Sequence, residues 1–322
     1  MNIQIKSGAL QQVLALASLV VLVLFFTFSS SNFFQFSNIV GILLSTAVIG
    51  VLALGSTFVI ITGGIDLSVG TVMTLSGVMT GVCITFWGLP VPVGILGGIL
   101  TGALCGLLSG TAVAKMKIPP FIATLAMMMI AKGLALIISG AKPVYFNDAE
   151  SFAEVSQGSV LGWLVPGLDI PNAVVIFFIA AILGYLVLSK TILGRYNFAL
   201  GSNEEATRLS GVNVGFWKIV IYTLTGAFTG LAGVMMASRL NSANPALGAG
   251  YELEAIAAVV IGGTSLSGGK GTIIGTVIGA LIMSVLTNGL RILSVPQEWQ
   301  TVVVGFVIIL AVYADILRRR KA

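Results

Sequence analysis

The chain has 322 residues, 57% of them hydrophobic and only 8% charged, with a formal net charge of +5 and no histidine. Its mean hydropathy is +1.08. Soluble domains carry roughly 25% charged residues, so these values exclude an ordinary water-soluble fold and leave an all-α polytopic membrane protein forming a single transmembrane domain over residues 1–322. The missing histidine removes the commonest metal ligand and the side chain that titrates nearest neutrality. The positive charge collects at span ends and gives no argument for nucleic acid. Cys83 and Cys105 fall in apolar segments and read as packing residues.

A membrane span needs roughly 17 to 25 apolar residues, and about ten stretches are read as spans on that criterion. The first, Leu10–Thr27, follows Lys6 and reads as an uncleaved span rather than a signal peptide, because many similar spans follow it. Then come Ile39–Thr62, Thr71–Trp87, Val93–Ala114 and Phe121–Ser139. The fifth is opened by Pro119 and Pro120, at home in a first helical turn. After a polar stretch, 140–169, the sixth is Pro171–Leu188. The charged segment 190–218 precedes Ile219–Ala237, Leu253–Leu266, Thr272–Leu290 and Thr301–Ile316.

Basic residues near span ends favour the cytoplasm. With ten spans, Lys6, Lys115, Lys117, segment 190–218 and the run from Arg318 to Lys321 share one side, with both termini cytoplasmic. Segment 140–169 then lies on the outer side, with Arg239 and Arg291 as basic exceptions there. Trp87, Trp163, Trp217 and Trp299 sit at or beyond span ends, where amphipathic rings prefer the headgroup layer.

The fourth span carries Gly94, Gly98, Gly102, Gly106 and Gly110, and the ninth carries Gly271, Gly275 and Gly279. Spacing of four lays a bare groove along a helix and admits a close neighbour. Five spans separate the two ridges, as in an inverted-topology repeat. A second similarity, G-G-x-x-L-S-x-G at Gly63–Gly70 and Gly262–Gly269, spans six and implies a parallel relation instead.

Gly63-Gly64 followed by Asp66 at the end of an apolar run suggests an interrupted helix, tolerated at membrane depth only where it is buried in protein or lines a cavity. Asp66 and Ser68 have two open readings, a structural cap of the third span or polar groups beside a translocation pathway. Thr264 and Ser267 are the matching polar residues of the second motif. Glu252 and Glu254 stand at the mouth of the eighth span. Lys132, inside the fifth, either pairs with an acid or lines a hydrated path.

Segment 190–218 is dense in charge of both signs. Gly201 and Ser202 read as a break. Asn203 or Ser202 can cap a short helix, with Glu204 and Glu205 at its positive end, Arg208 within ion-pair reach of both and Gly211 ending it in a left-handed conformation.

The stretches GGIDLSVG at 63–70, LGRYNFALGSNEEATRLSGV at 193–212 and YELEAIAAVVIGGTSLSGGKGT at 251–272 resemble the permease subunits of bacterial ABC importers for monosaccharides, in appearance nearest to those for ribose. Relatives for galactose, xylose, arabinose, allose and autoinducer-2 look much alike. The resemblance implies a multi-pass protein of the inner membrane, paired with a second permease copy, a tandem-domain ABC ATPase that uses ATP and Mg, and a periplasmic sugar-binding protein. It implies that residues 203–210 dock on that ATPase, with Asn203, Glu204, Glu205 and Arg208 as the coupling residues. This chain would bind no cofactor or metal and would not be an enzyme. Gly268-Gly269-Lys270-Gly271-Thr272 lacks the upstream spacing and strand–helix frame of a phosphate loop. An ion-coupled secondary transporter would place acids or histidines within the membrane, whereas the acids here cluster at span ends. An intramembrane enzyme would need an acid/base or nucleophile constellation, and the spans contain none.

Overall fold

The structure, a computed structural model, describes residues 7–147, 149–165, 167 and 169–320. Lys6 and Lys321 of the charge pattern lie outside them. In chain order the helices are α1 (Ser7–Ser29), α2 (Phe36–Ile61), α3 (Val69–Gly81, continued by a π-helical turn, Val82–Phe86), α4 (Val91–Ala114) and α5 (Pro120–Ser139). Then follow α6 (Glu150–Gln157), α7 (Val160–Leu164), α8 (Asn172–Lys190), α9 (Ile192–Ser202) and α10 (Glu204–Leu209). The last four are α11 (Val214–Leu240), α12 (Tyr251–Ile261), α13 (Ile273–Ile292) and α14 (Gln297–Arg320). Strands β1 (Val144–Tyr145) and β2 (Ser242–Ala243) pair antiparallel.

Eight of these helices, α1 to α5, α8, α11 and α13, are long and apolar enough to cross a membrane, and α14 holds a shorter apolar stretch, Gln297–Tyr313. The expected eighth span, Leu253–Leu266, is not one helix. α12 has 11 residues, about 16 Å, roughly half the ~30 Å hydrocarbon thickness. Beyond it Gly263, Gly268 and Gly269 adopt φ of +92°, +82° and +73°, a region open to glycine and costly for other residues. α12 therefore ends at Ile261, ahead of the glycine pair and the polar residues that the expected span Leu253–Leu266 includes.

At the centre stands α2, whose residues from Thr46 to Ile61 are all buried. A helix apolar on every side belongs in the interior. The two glycine ridges explain its surroundings. On α4, added Cβ atoms would meet Ile84 and Thr80 at Gly94, Thr80 and Ser76 at Gly98, and the backbone of α11 at Gly102, Gly106 and Gly110. On α13, Gly275 and Gly279 lie against the backbone of Gly262 and Ala258, while Thr276 Oγ1 is 2.7 Å from Thr57 Oγ1 on α2. Thus α4 packs antiparallel on α3 and α11, and α13 packs antiparallel on α12 and α2. α2 and α11 run in opposite directions, since Ser45 meets Arg239 and Gly55 meets Thr225. Exchanging α2 with α11, α3 with α12 and α4 with α13 maps one set of contacts onto the other, the pattern of an inverted repeat. The G-G-x-x-L-S-x-G pair is not part of that exchange. Its two copies touch each other, as described below.

Within segment 140–169, α6 is tied to α11 by Ser156 Oγ donating to Met235 O at 2.9 Å and Ser238 Oγ donating to Phe152 O at 2.6 Å.

Candidate coupling and translocation site

The charged segment folds into two short helices. Gly201 and Ser202, read as a break, form the last turn of α9. The break falls one residue later, at Asn203 (φ −162°, ψ 101°), whose Oδ1 accepts from Ala206 N at 2.9 Å. That cap satisfies a donor left free by the first turn. Glu205 pairs with Arg208 at 2.6 Å on an exposed face, a contact contributing only about 0.2–1 kcal/mol. Glu204 reaches further, pairing with Lys218 of α11 at 2.7 Å. Gly211 turns the chain at φ +84°, and Asn213 Oδ1 caps α11 by accepting from Phe216 N at 3.0 Å. Leu209, 80% exposed, is the outermost apolar side chain of α10. A groove of about 600 Å³ runs beside α10, between the α4–α5 turn at Lys117 to Pro120 and the start of α11, and Glu204, Arg208 and Lys218 line it.

α9 ties α10 to the helices of the core. Its buried face carries Gly194, Asn197 and Leu200. A Cβ on Gly201 would collide with the carbonyl oxygen of Ile61, the last residue of α2, and with the amide of Gly269. The Gly269 N–H donates to that same Ile61 carbonyl at 2.9 Å. Gly268 lies against Gly63 N and Gly201 O. The two G-G motifs thus meet at the end of α9, through backbone alone.

The polar residues of the motifs separate into two places. Asp66 is buried, and its Oδ1 accepts from Ser68 N at 2.8 Å and Ser68 Oγ at 2.6 Å. Thr124 Oγ1 braces the same loop, accepting from Leu67 N and donating to Ile65 O, both at 3.2 Å. On the second break Thr264 is fully buried and Ser267 exposed. Among the described residues no hydrogen bond joins the Asp66–Ser68 pair to Thr264 or Ser267. Glu252 accepts from Gly250 N at 3.1 Å at the start of α12. Lys132 is exposed on α5 and takes part in neither ion pair found among the described residues. No group of three or more His, Cys, Asp or Glu side chains among those residues is placed to hold a metal ion.

The sequence reading missed α9, the Glu204–Lys218 pair and the glycine junction. The spacing of Gly194, Asn197 and Leu200/Gly201, three to four residues apart, is the signal that could have shown α9 to be a packed helix.

Long apolar helices around two broken segments, with α9 packed on both breaks and the short charged helix α10 following it, define a multi-pass membrane protein. The chain belongs to the permease family described as the branched-chain amino acid transport system permease component, which matches residues 38–312. It is 43% identical over 305 residues to the ribose import permease protein RbsC of Escherichia coli K12, covering 94% of this chain and 92% of that protein. It is 42% identical over 316 residues to RbsC of Bacillus subtilis 168, covering 98% and 95%. It is 38% identical over 312 residues to the fructose import permease protein FrcC of Rhizobium meliloti, covering 96% and 87%. No solved structure matches the chain.

Proposed function

We propose that this chain is the membrane-spanning permease subunit of an ATP-driven sugar importer, with ribose or a closely similar monosaccharide as its substrate. The observation that carries the reading is identity above 40% to ribose import permeases along almost the whole chain. The exposed, capped helix α10 suits the role of a lever moved by a separate motor. In this reading a tandem-domain ABC ATPase binds and hydrolyses ATP with Mg, and Asn203, Glu204, Glu205 and Arg208 form the contact with it. Two permease copies enclose one hydrated path in the inner membrane, with both termini and segment 190–218 cytoplasmic and segment 140–169 periplasmic. A periplasmic binding protein delivers the sugar. Asp66, Ser68, Thr264 and Ser267, on the two breaks, provide polar groups at the inner part of that path, and this chain supplies no catalytic residue or cofactor.

The test is uptake of labelled ribose by vesicles containing the chain, its ATPase and its binding protein. Uptake that needs ATP and survives an ionophore supports the reading. Uptake abolished by an ionophore with ATP intact refutes it. Competition by fructose tests the second reading, which the 38% identity to a fructose import permease favours.

A further inference from the structure

α5 crosses the membrane as 20 residues, about 30 Å, and Lys132 sits deep within it, seven residues short of its C-terminal end at Ser139. That distance is about 10 Å along the axis. Helical side chains lean toward the N-terminus, so Lys132 points away from the nearer membrane face and is poorly placed to reach it. An ammonium in hydrocarbon is costly, and lysines at this depth face a bundle interior or water. Lys132 does not face this chain's interior. It is exposed, and it makes neither an ion pair nor a hydrogen bond among the described residues. Beside it Gly133 borders open space, with nothing within 4 Å of a Cβ built there.

The rest of α5 shows which flank meets lipid. Ile122, Ile130 and Ile137 are all more than half exposed and form a flank without a polar group. Lys132 lies about 200° around the axis from Ile130, with the buried Ala131 between them. The exposed arc of α5 runs from Lys132 at one border of the buried stripe, past Met129 and Ile122, to Ile130 at the other border, so the charge stands at one edge of an otherwise apolar face at membrane depth.

We infer that the Lys132 flank of α5 lines the water-filled sugar path, and that the Lys132 ammonium donates hydrogen bonds to hydroxyls of the passing polyol. An ammonium has three N–H donors and no acceptor, which matches hydroxyl oxygens. Its charge also opposes entry of protons and metal cations. The inference rests on the importer reading above, in which a second copy closes the path opposite this flank.

The test uses the full chain, with Cys83→Ala and Cys105→Ala, in native membranes with its ATPase and binding protein. Lys132→Cys and, separately, Ile130→Cys are exposed to a charged, membrane-impermeant methanethiosulfonate reagent. The thiol of the Lys132→Cys variant is expected to react and its modification to stop ribose uptake, while the thiol of the Ile130→Cys variant stays unmodified. Lys132→Met, which keeps the length and removes the charge, is expected to lower uptake about tenfold, the order for withdrawing one charged donor, with the amount of co-purifying ATPase unchanged. A thiol at position 132 as unreactive as the one at position 130, or Lys132→Met uptake equal to the parent's, overturns the inference. Ribose uptake by the parent is the control for the importer reading. The labelling difference between positions 132 and 130 is read whether or not that control succeeds.

Discussion

The bare α-carbon of Gly201 rests against the carbonyl oxygen of Ile61, so the end of α9 and the end of α2 are held in backbone contact. The same carbonyl accepts the Gly269 N–H at 2.9 Å. The end of α9 therefore touches both interrupted segments at once. A side chain at position 201 would force these backbones apart, and Gly201→Ala is expected to cost about 1–3 kcal/mol. Transport should fall while the ATPase still co-purifies, because α10 itself is untouched. Uptake and ATPase co-purification measured on the same preparation check this. Normal uptake would show that the contact transmits nothing.

Arg208 is 58% exposed at its side chain and pairs with Glu205 on the outer face of α10. Arg208→Glu removes a weak surface pair, so thermal stability should change by less than about 1 kcal/mol. If this face meets the ATPase, reversal of charge should lower co-purification and uptake together. Melting temperature, ATPase binding and uptake separate the two effects.

Asn203 holds the first turn of α10 through its bond to Ala206 N. Replacing such a cap by alanine costs about 0.5–2 kcal/mol. In a helix of 6 residues that loss should fray α10, seen as faster proteolysis or amide exchange across 203–211, with the spans unaffected. Uptake should fall less than in Gly201→Ala, because a docking partner can restore the helix.

Gly102 faces the backbone of Gly226 and Gly230 on α11. Gly102→Leu has no cavity to enter there and should prevent close packing of α4 on α11, lowering the yield of folded protein. Leu100 of the same helix is 66% exposed, so Leu100→Ala is the matched control and should fold normally. Equal yields of the two variants would contradict the ridge assignment.

Most of the architecture could be read from apolar runs, because lipid leaves a spanning helix little freedom in composition or length. The glycine spacing on α4 also identified a packing groove, since a residue every four places on a helix marks one face. The broken α12 was not legible in the same way. Gly262 and Gly263 permit a break without requiring one, and only backbone geometry reveals that Gly263 is left-handed. In α10, the pairing of Arg208 with Glu205 follows from local spacing. Glu204 pairs instead with Lys218, 14 residues away across a turn, which no local rule supplies. Gly201 illustrates the same limit, since a glycine that looks like a helix breaker is helical here and small because another chain segment presses on it. Asp66 stayed ambiguous because a buried carboxylate near a helix start serves equally as a cap or as a pathway group. The structure gives it two bonds from Ser68.

In the proposed importer α10 meets a separate ATPase and passes its motion to the broken segments. The most direct measurement places a photo-crosslinking amino acid at Leu209, the most exposed apolar position of α10, in membranes from cells expressing the whole importer. The expected result is a crosslink to the cytoplasmic ATPase whose yield changes when ATP binds. Crosslinks only to lipid or to a protein of the opposite compartment would contradict it.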